Sequence, residues 1–161
     1  MEERTQEILG VTILLVLTLG GCKAETVKAD PPVLNCTGDL GRTCVLEGVV
    51  KQNAGDYAGA MVLYEATCEA NVVDGCVMAA NILRYGLGTI GQDEARALRY
   101  YQMGCKVSHA GGCHHLGTAH RMGALGAKKD LHRARALLKK ACDGGESGAC
   151  DDLAALRKTG R

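Results

Sequence analysis

From residue 56 onward, apolar positions recur at helical spacing and the whole pattern repeats. In 56–70, Ala60, Met61, Tyr64 and Cys68 fall on one face of a helix. From about 73 to 85, Cys76, Ala79, Ala80 and Leu83 do the same, and Gly86-Leu87-Gly88 ends the run because glycine tolerates the left-handed position after a helix. The next copy carries Ala97, Leu98, Tyr101 and Cys105, then Cys113, Leu116, Ala119 and His120 up to Gly123. The third carries Ala134, Leu137, Leu138, Ala141 and Cys142, then Cys150, Leu153, Ala154 and Leu156. The register is strict. Asp56, Asp93 and Asp130 lie 37 residues apart, each is followed four residues later by alanine and twelve later by cysteine, and each of those cysteines has another eight positions on. An aspartate at the head of an apolar run is a helix N-cap, since its carboxylate accepts from the free backbone N–H groups. A period of this length predicts an all-α fold, an α/α solenoid of antiparallel helix pairs.

The pattern divides the chain. Residues 56–88, 93–126 and 130–161 read as three repeats, and 36–53 as a capping half repeat with a helix over about 43–51. Residues 23–35, KAETVKADPPVLN, are mostly polar with paired prolines and read as a tether. Residues 8–19 are an apolar run leading into Gly20-Gly21-Cys22, which reads as an export signal and is short for a membrane span. Leu19-Gly20-Gly21-Cys22 resembles the bacterial lipoprotein box, which makes 1–22 a signal and Cys22 the lipidated residue. Glu2, Glu3 and Glu7 against Arg4 depart from the positive head such signals carry.

Composition changes this picture at two points. There is no Trp or Phe among 161 residues, so Leu, Ala, Val, Met and five Tyr must do the packing, which suits thin two-helix layers. There are nine cysteines. With Cys22 set aside, eight remain, for which there are on the order of a hundred connectivities. The period favours one, Cys36–Cys44, Cys68–Cys76, Cys105–Cys113 and Cys142–Cys150, each closing the turn of a hairpin. Zinc would need four thiolates gathered at one point, which a spacing of eight repeated along a solenoid does not supply. Disulfides place the chain in an oxidising compartment, exported to the periplasm or cell exterior.

Gly75-Cys76, Gly86, Gly88, Asp93, Ala97, Tyr101 and Cys105 resemble the Sel1-like repeat of the tetratricopeptide superfamily, and Gly112-Cys113, Leu116-Gly117, Gly123, Gly126, Asp130, Ala134 and Cys142 carry the same pattern. The paired cysteines narrow the resemblance to the cysteine-rich, beta-lactamase-like Sel1 proteins of bacteria. It covers about residues 35–156 and implies right-handed stacking of hairpins with one disulfide each, secretion, and either protein–protein contact or weak beta-lactam hydrolysis. Ala149 stands where the earlier copies have Gly75 and Gly112, and Leu138 where they have Tyr64 and Tyr101.

The residues offer little chemistry. Neither Ser108 nor Ser147 has the lysine three positions on that serine beta-lactamases use. The five histidines include the adjacent pair His114-His115, which point different ways from a helix and do not form the i,i+4 pair of helical metal sites. They read as polar residues beside a disulfide, and no metal or cofactor is expected. From residue 121 to 161 there are ten bases and five acids, a basic end without the aromatics that single-stranded nucleic acid needs. The expected function is an exported scaffold that binds a protein or peptide, attached to the membrane through Cys22. A weak beta-lactam hydrolase with no assignable catalytic residue and a structural protein of the cell envelope are the alternatives. Among the tyrosines, Tyr64 and Tyr101 fall in the core register, and Tyr100 is the expected exposed contact. His114 and Arg133 complete the candidate binding residues.

Overall fold

The structure, a computed structural model, describes residues 36–159. The expected signal, the lipidation site at Cys22 and the tether lie outside these residues. Seven helices follow one another: α1 (Asp39–Asn53), α2 (Tyr57–Glu69), α3 (Val73–Tyr85), α4 (Glu94–Lys106), α5 (Ala110–Met122), α6 (Leu131–Asp143) and α7 (Ser147–Thr159). Each of α2 to α7 has 13 residues. Packing runs between neighbours in sequence, with a slight additional contact of α5 with α7. This is the nearest-neighbour architecture of a solenoid. The even helices make one row and the odd helices the other.

Three aspartates open the even helices. Asp56, Asp93 and Asp130 accept hydrogen bonds from the backbone N–H of Gly59 (2.8 Å), Arg96 (2.9 Å) and Arg133 (2.9 Å). Each aspartate amide also ties the preceding turn. Asp93 N–H donates to the Leu83 carbonyl at 2.9 Å, and Asp130 N–H to that of His120 at 2.8 Å. Gly86 and Gly123 end α3 and α5 in the left-handed conformation. The closed turns between α2 and α3, α4 and α5, and α6 and α7 repeat one another. Asn71, Ser108 and Gly145, 37 residues apart, all have positive φ (62°, 67° and 91°). The next amides, of Val72, His109 and Glu146, donate back to Thr67, Gly104 and Ala141 at 2.8, 3.0 and 3.0 Å.

The core follows the periodicity. Tyr64, Tyr101 and Leu138 occupy one register and are all fully buried. The two tyrosine hydroxyls donate to the preceding odd helix, Tyr64 to Gln52 (3.2 Å) and Tyr101 to Asn81 (2.6 Å). Gly75 is required by proximity, because a Cβ there would run into the Thr67 side chain and the Tyr64 carbonyl. Two sequence expectations need correction. Ala154 is exposed, since α7 is the last described helix and nothing packs on its outer side. The capping helix is longer than 43–51, running from Asp39, with Gly41 and Gly48 letting it approach Val72 and Tyr64.

Four disulfides lock the ends of these elements: Cys36–Cys44, Cys68–Cys76, Cys105–Cys113 and Cys142–Cys150, with Cα separations of 5.8, 4.6, 4.4 and 4.7 Å. The last three staple α2 to α3, α4 to α5 and α6 to α7. The first ties the segment before α1 back onto that helix.

Candidate binding face

The staples fix the relative position of consecutive helices, and side chains on the odd row then meet one another. His109, the N-cap of α5, accepts from Gly112 N–H through Nδ1 (3.1 Å) while its Nε2 lies 3.0 Å from Asp74 at the start of α3. His114 on α5 places Nε2 3.1 Å from Asp152 on α7. Thr118 donates to the same carboxylate at 3.2 Å, and Arg121 lies 3.3 Å from it. Asp152 therefore gathers three side chains of α5. Toward the other neighbour, Arg84 on α3 lies 3.3 Å from His115 Nδ1.

His115 is the most perturbed group of this row. Its ring lies against Tyr101 at a tilt of 35° (centroids 4.7 Å apart) and stacks on His114 (5.7 Å). Burial, followed by the positive charge of Arg84, holds its pKa down to about 4. The ring is neutral at pH 7, so Arg84 donates to Nδ1 and the ring proton sits on Nε2. Burial pushes the Tyr101 hydroxyl up to about 12, against the opposing pull of Arg84. Arg84 also lies 5.1 Å over the ring of Tyr85, which is 60% exposed. His120, on the inner face of α5, faces the Lys128 carbonyl with Nδ1 at 3.0 Å and leaves Nε2 without a partner.

The three candidate contact residues lie on three helices and do not come together. Tyr100 on α4 is half-buried, which corrects the expectation of an exposed contact: its hydroxyl donates to Glu65 of α2 at 3.0 Å, Arg96 pairs with the same carboxylate, and the Arg96 guanidinium lies 5.9 Å from the Tyr100 ring. Hydrogen bonding to Tyr100 and the nearby Glu65 raise the Arg96 pKa. His114 joins α5 to α7 as described. Arg133 is exposed on α6. The sequence reading missed Arg84, Tyr85, Asp152 and Glu65 as members of these clusters. An Arg-Tyr dipeptide on the last turn of a helix was the available signal for the first two. Ser108 holds a left-handed turn position, and Ser147 opens α7. No group of three or more metal-ligating side chains occurs among the described residues.

The Sel1 repeat family matches residues 73–109 and 110–146. In this frame one repeat is α3 with α4 and the next is α5 with α6, so Cys105–Cys113 crosses the boundary between them. Among solved structures, the cysteine-rich protein B of Helicobacter pylori is similar, with a TM-score of 0.55 and 22% identity over 70% of this chain and 93% of that one. That likeness concerns the fold. No curated protein matches the chain. The tandem matches, the all-helical solenoid and the bridges between hairpins agree: residues 73–146 form two Sel1 repeats within the solenoid.

Proposed function

We propose that the chain acts outside the cytoplasm as a rigid scaffold that holds a polypeptide partner against the α3–α5–α7 row. The observation that carries this reading is Tyr85, a large ring left 60% exposed with Arg84 over it. Tyr and Arg are the side chains most enriched among interface residues that dominate binding energy. Arg84 is already oriented by His115, and His114, Thr118 and Arg121 by Asp152. A surface ordered before binding loses less side-chain entropy when the partner arrives. Sel1 repeats serve protein–protein contact in general, and four disulfides suit an extracytoplasmic setting. Residues 1–22 then act as the export signal and Cys22 as the lipid-bearing residue. Alkylation and intact mass before and after reduction test both points, with eight thiols released and Cys22 blocked.

Peptides selected by display on the oxidised full-length chain test the binding reading. Tyr85→Ala and Arg84→Ala are each expected to weaken the selected peptides about ten-fold, at unchanged circular dichroism. Affinity untouched by both changes would remove the odd row from consideration. Repeated turnover of a chromogenic beta-lactam, lost on reduction and alkylation, would replace the scaffold by the hydrolase.

A further inference from the structure

A cleft of about 240 Å³ lies where the last turn of α4 passes the closed end of the α2–α3 hairpin. Its walls are the Cys68–Cys76 disulfide, Val73, Met103 and Val107, with Asn71 and Lys106 at the edge. Met103 and Val107 are 46% and 59% exposed, a wide opening for side chains of this kind.

The chain contains its own comparison. Moving every position forward by 37 residues gives the same junction one layer on, between α6 and the α4–α5 hairpin. There Lys140 stands for Met103, and its Nζ donates to the Cys105 carbonyl at 2.8 Å, so its methylene chain lies along the junction. Gly144 stands for Val107 and Ala110 for Val73. Gly144 approaches so closely that an added Cβ would meet the Ala110 methyl at 3.1 Å. Two small residues and one long side chain thus close the second junction. Two valines and a methionine that remains half-exposed hold the first one open. At the rim, Asp143 of the closed junction is replaced by Lys106. Lys106 is exposed and makes no ion pair among the described residues.

We infer that this cleft receives one aliphatic side chain of a bound polypeptide, with a neighbouring carboxylate of that polypeptide seated on Lys106. The volume is below the roughly 300–1,000 Å³ of sites that enclose a drug-sized ligand, so it suits a side chain better than a whole small molecule. The apolar walls supply affinity by burial. The unpaired cation selects the sign of the neighbouring charge, which bears on orientation and specificity more than on strength. The inference rests on the scaffold reading and adds a second contact point, on the even row and at the stapled end.

The test is methyl-detected NMR of the oxidised full-length chain titrated with a short acetylated peptide carrying leucine next to glutamate. The Met103, Val107 and Val73 methyl signals should shift saturably. Replacing the leucine of the probe by serine should abolish the shifts, and replacing its glutamate by lysine should weaken binding about ten-fold. K106E should reverse that charge preference. The double change M103K/V107G copies two of the three residues that close the next junction, residues this fold already accommodates one layer on, and should remove binding with the disulfides and helix content intact. Saturable shifts near Tyr85 with Met103 and Val107 unmoved would overturn the cleft and leave the scaffold standing. No saturable shift anywhere, or undiminished binding by M103K/V107G, would also overturn it.

Discussion

His115 sits between Tyr101, Arg84 and His114, and burial and the nearby cation both disfavour its proton. Its pKa of about 4 lies below the ordinary 6.5, so as pH falls the unfolded chain takes up this proton first. The stability it reflects is complete above pH 6.5, declines from there to about 4 and is level below that. After allowance for its partial exposure, the decline amounts to roughly 1–3 kcal/mol. The urea midpoint of the native chain should be lower at pH 4.5 than at pH 7, and the difference should be smaller in His115→Gln. The caps Asp56 and Asp130 act in a separate window. Backbone N–H donation from Gly59 and Arg133 holds their carboxyls below the usual 3.8, so their share is present above that pH and lost as it drops further. Asp93→Ala should cost about 0.5–2 kcal/mol by thermal or urea unfolding, the usual price of a lost cap. The caps were legible in the sequence because a cap is a local arrangement, completed within three residues. The surroundings of Tyr100 were not. Its partner Glu65 lies 35 residues earlier on a neighbouring helix, and only the stacking of layers brings the two together.

At the scale of elements, each staple closes a short loop, for which chain-entropy estimates give roughly 2–3 kcal/mol. The staples differ in access. Cys68, Cys76, Cys105 and Cys113 are all at most 5% exposed, while Cys142 and Cys150 are both partly open to solvent. Since thiolate attack requires access, graded reduction followed by alkylation and peptide mapping should label Cys142 and Cys150 before Cys105 and Cys113. Equal labelling at every stage would mean that opening of the whole domain, rather than exposure, controls reduction. Helix positions were readable because apolar spacing and capping are written locally. The shared left-handed turn was hidden, because Asn71, Ser108 and Gly145 meet one backbone requirement with three different residues. A similar exchange conceals Leu125, at positive φ (57°) and buried, where the preceding layer has Gly88 beneath the Tyr57 ring. Glu94 replaces that tyrosine one repeat on, and the volume returns from the other side of the turn.

At the scale of the molecule, charge changes sign along the sequence of the repeats. Residues 36–88 hold six acids and three bases, 89–126 two and four, and 127–161 five and nine, giving −3, +2 and +4. Contacts pass almost entirely between successive helices, and covalent bridges alternate with bare turns. That alternation decides what a broken backbone does. Lys106 stands between Cys105 and Cys113, so a tryptic cut after it leaves two pieces still tied by sulfur. Lys128 and Lys129 stand in the unbridged turn before α6, where the same cut parts the chain for good. On a gel run without reductant the first injury should be invisible and the second should appear at once; adding reductant should reveal both. Surroundings rich in proteases can therefore sever three of this molecule's turns without dismantling it, and its service life is set by the turns that carry no sulfur.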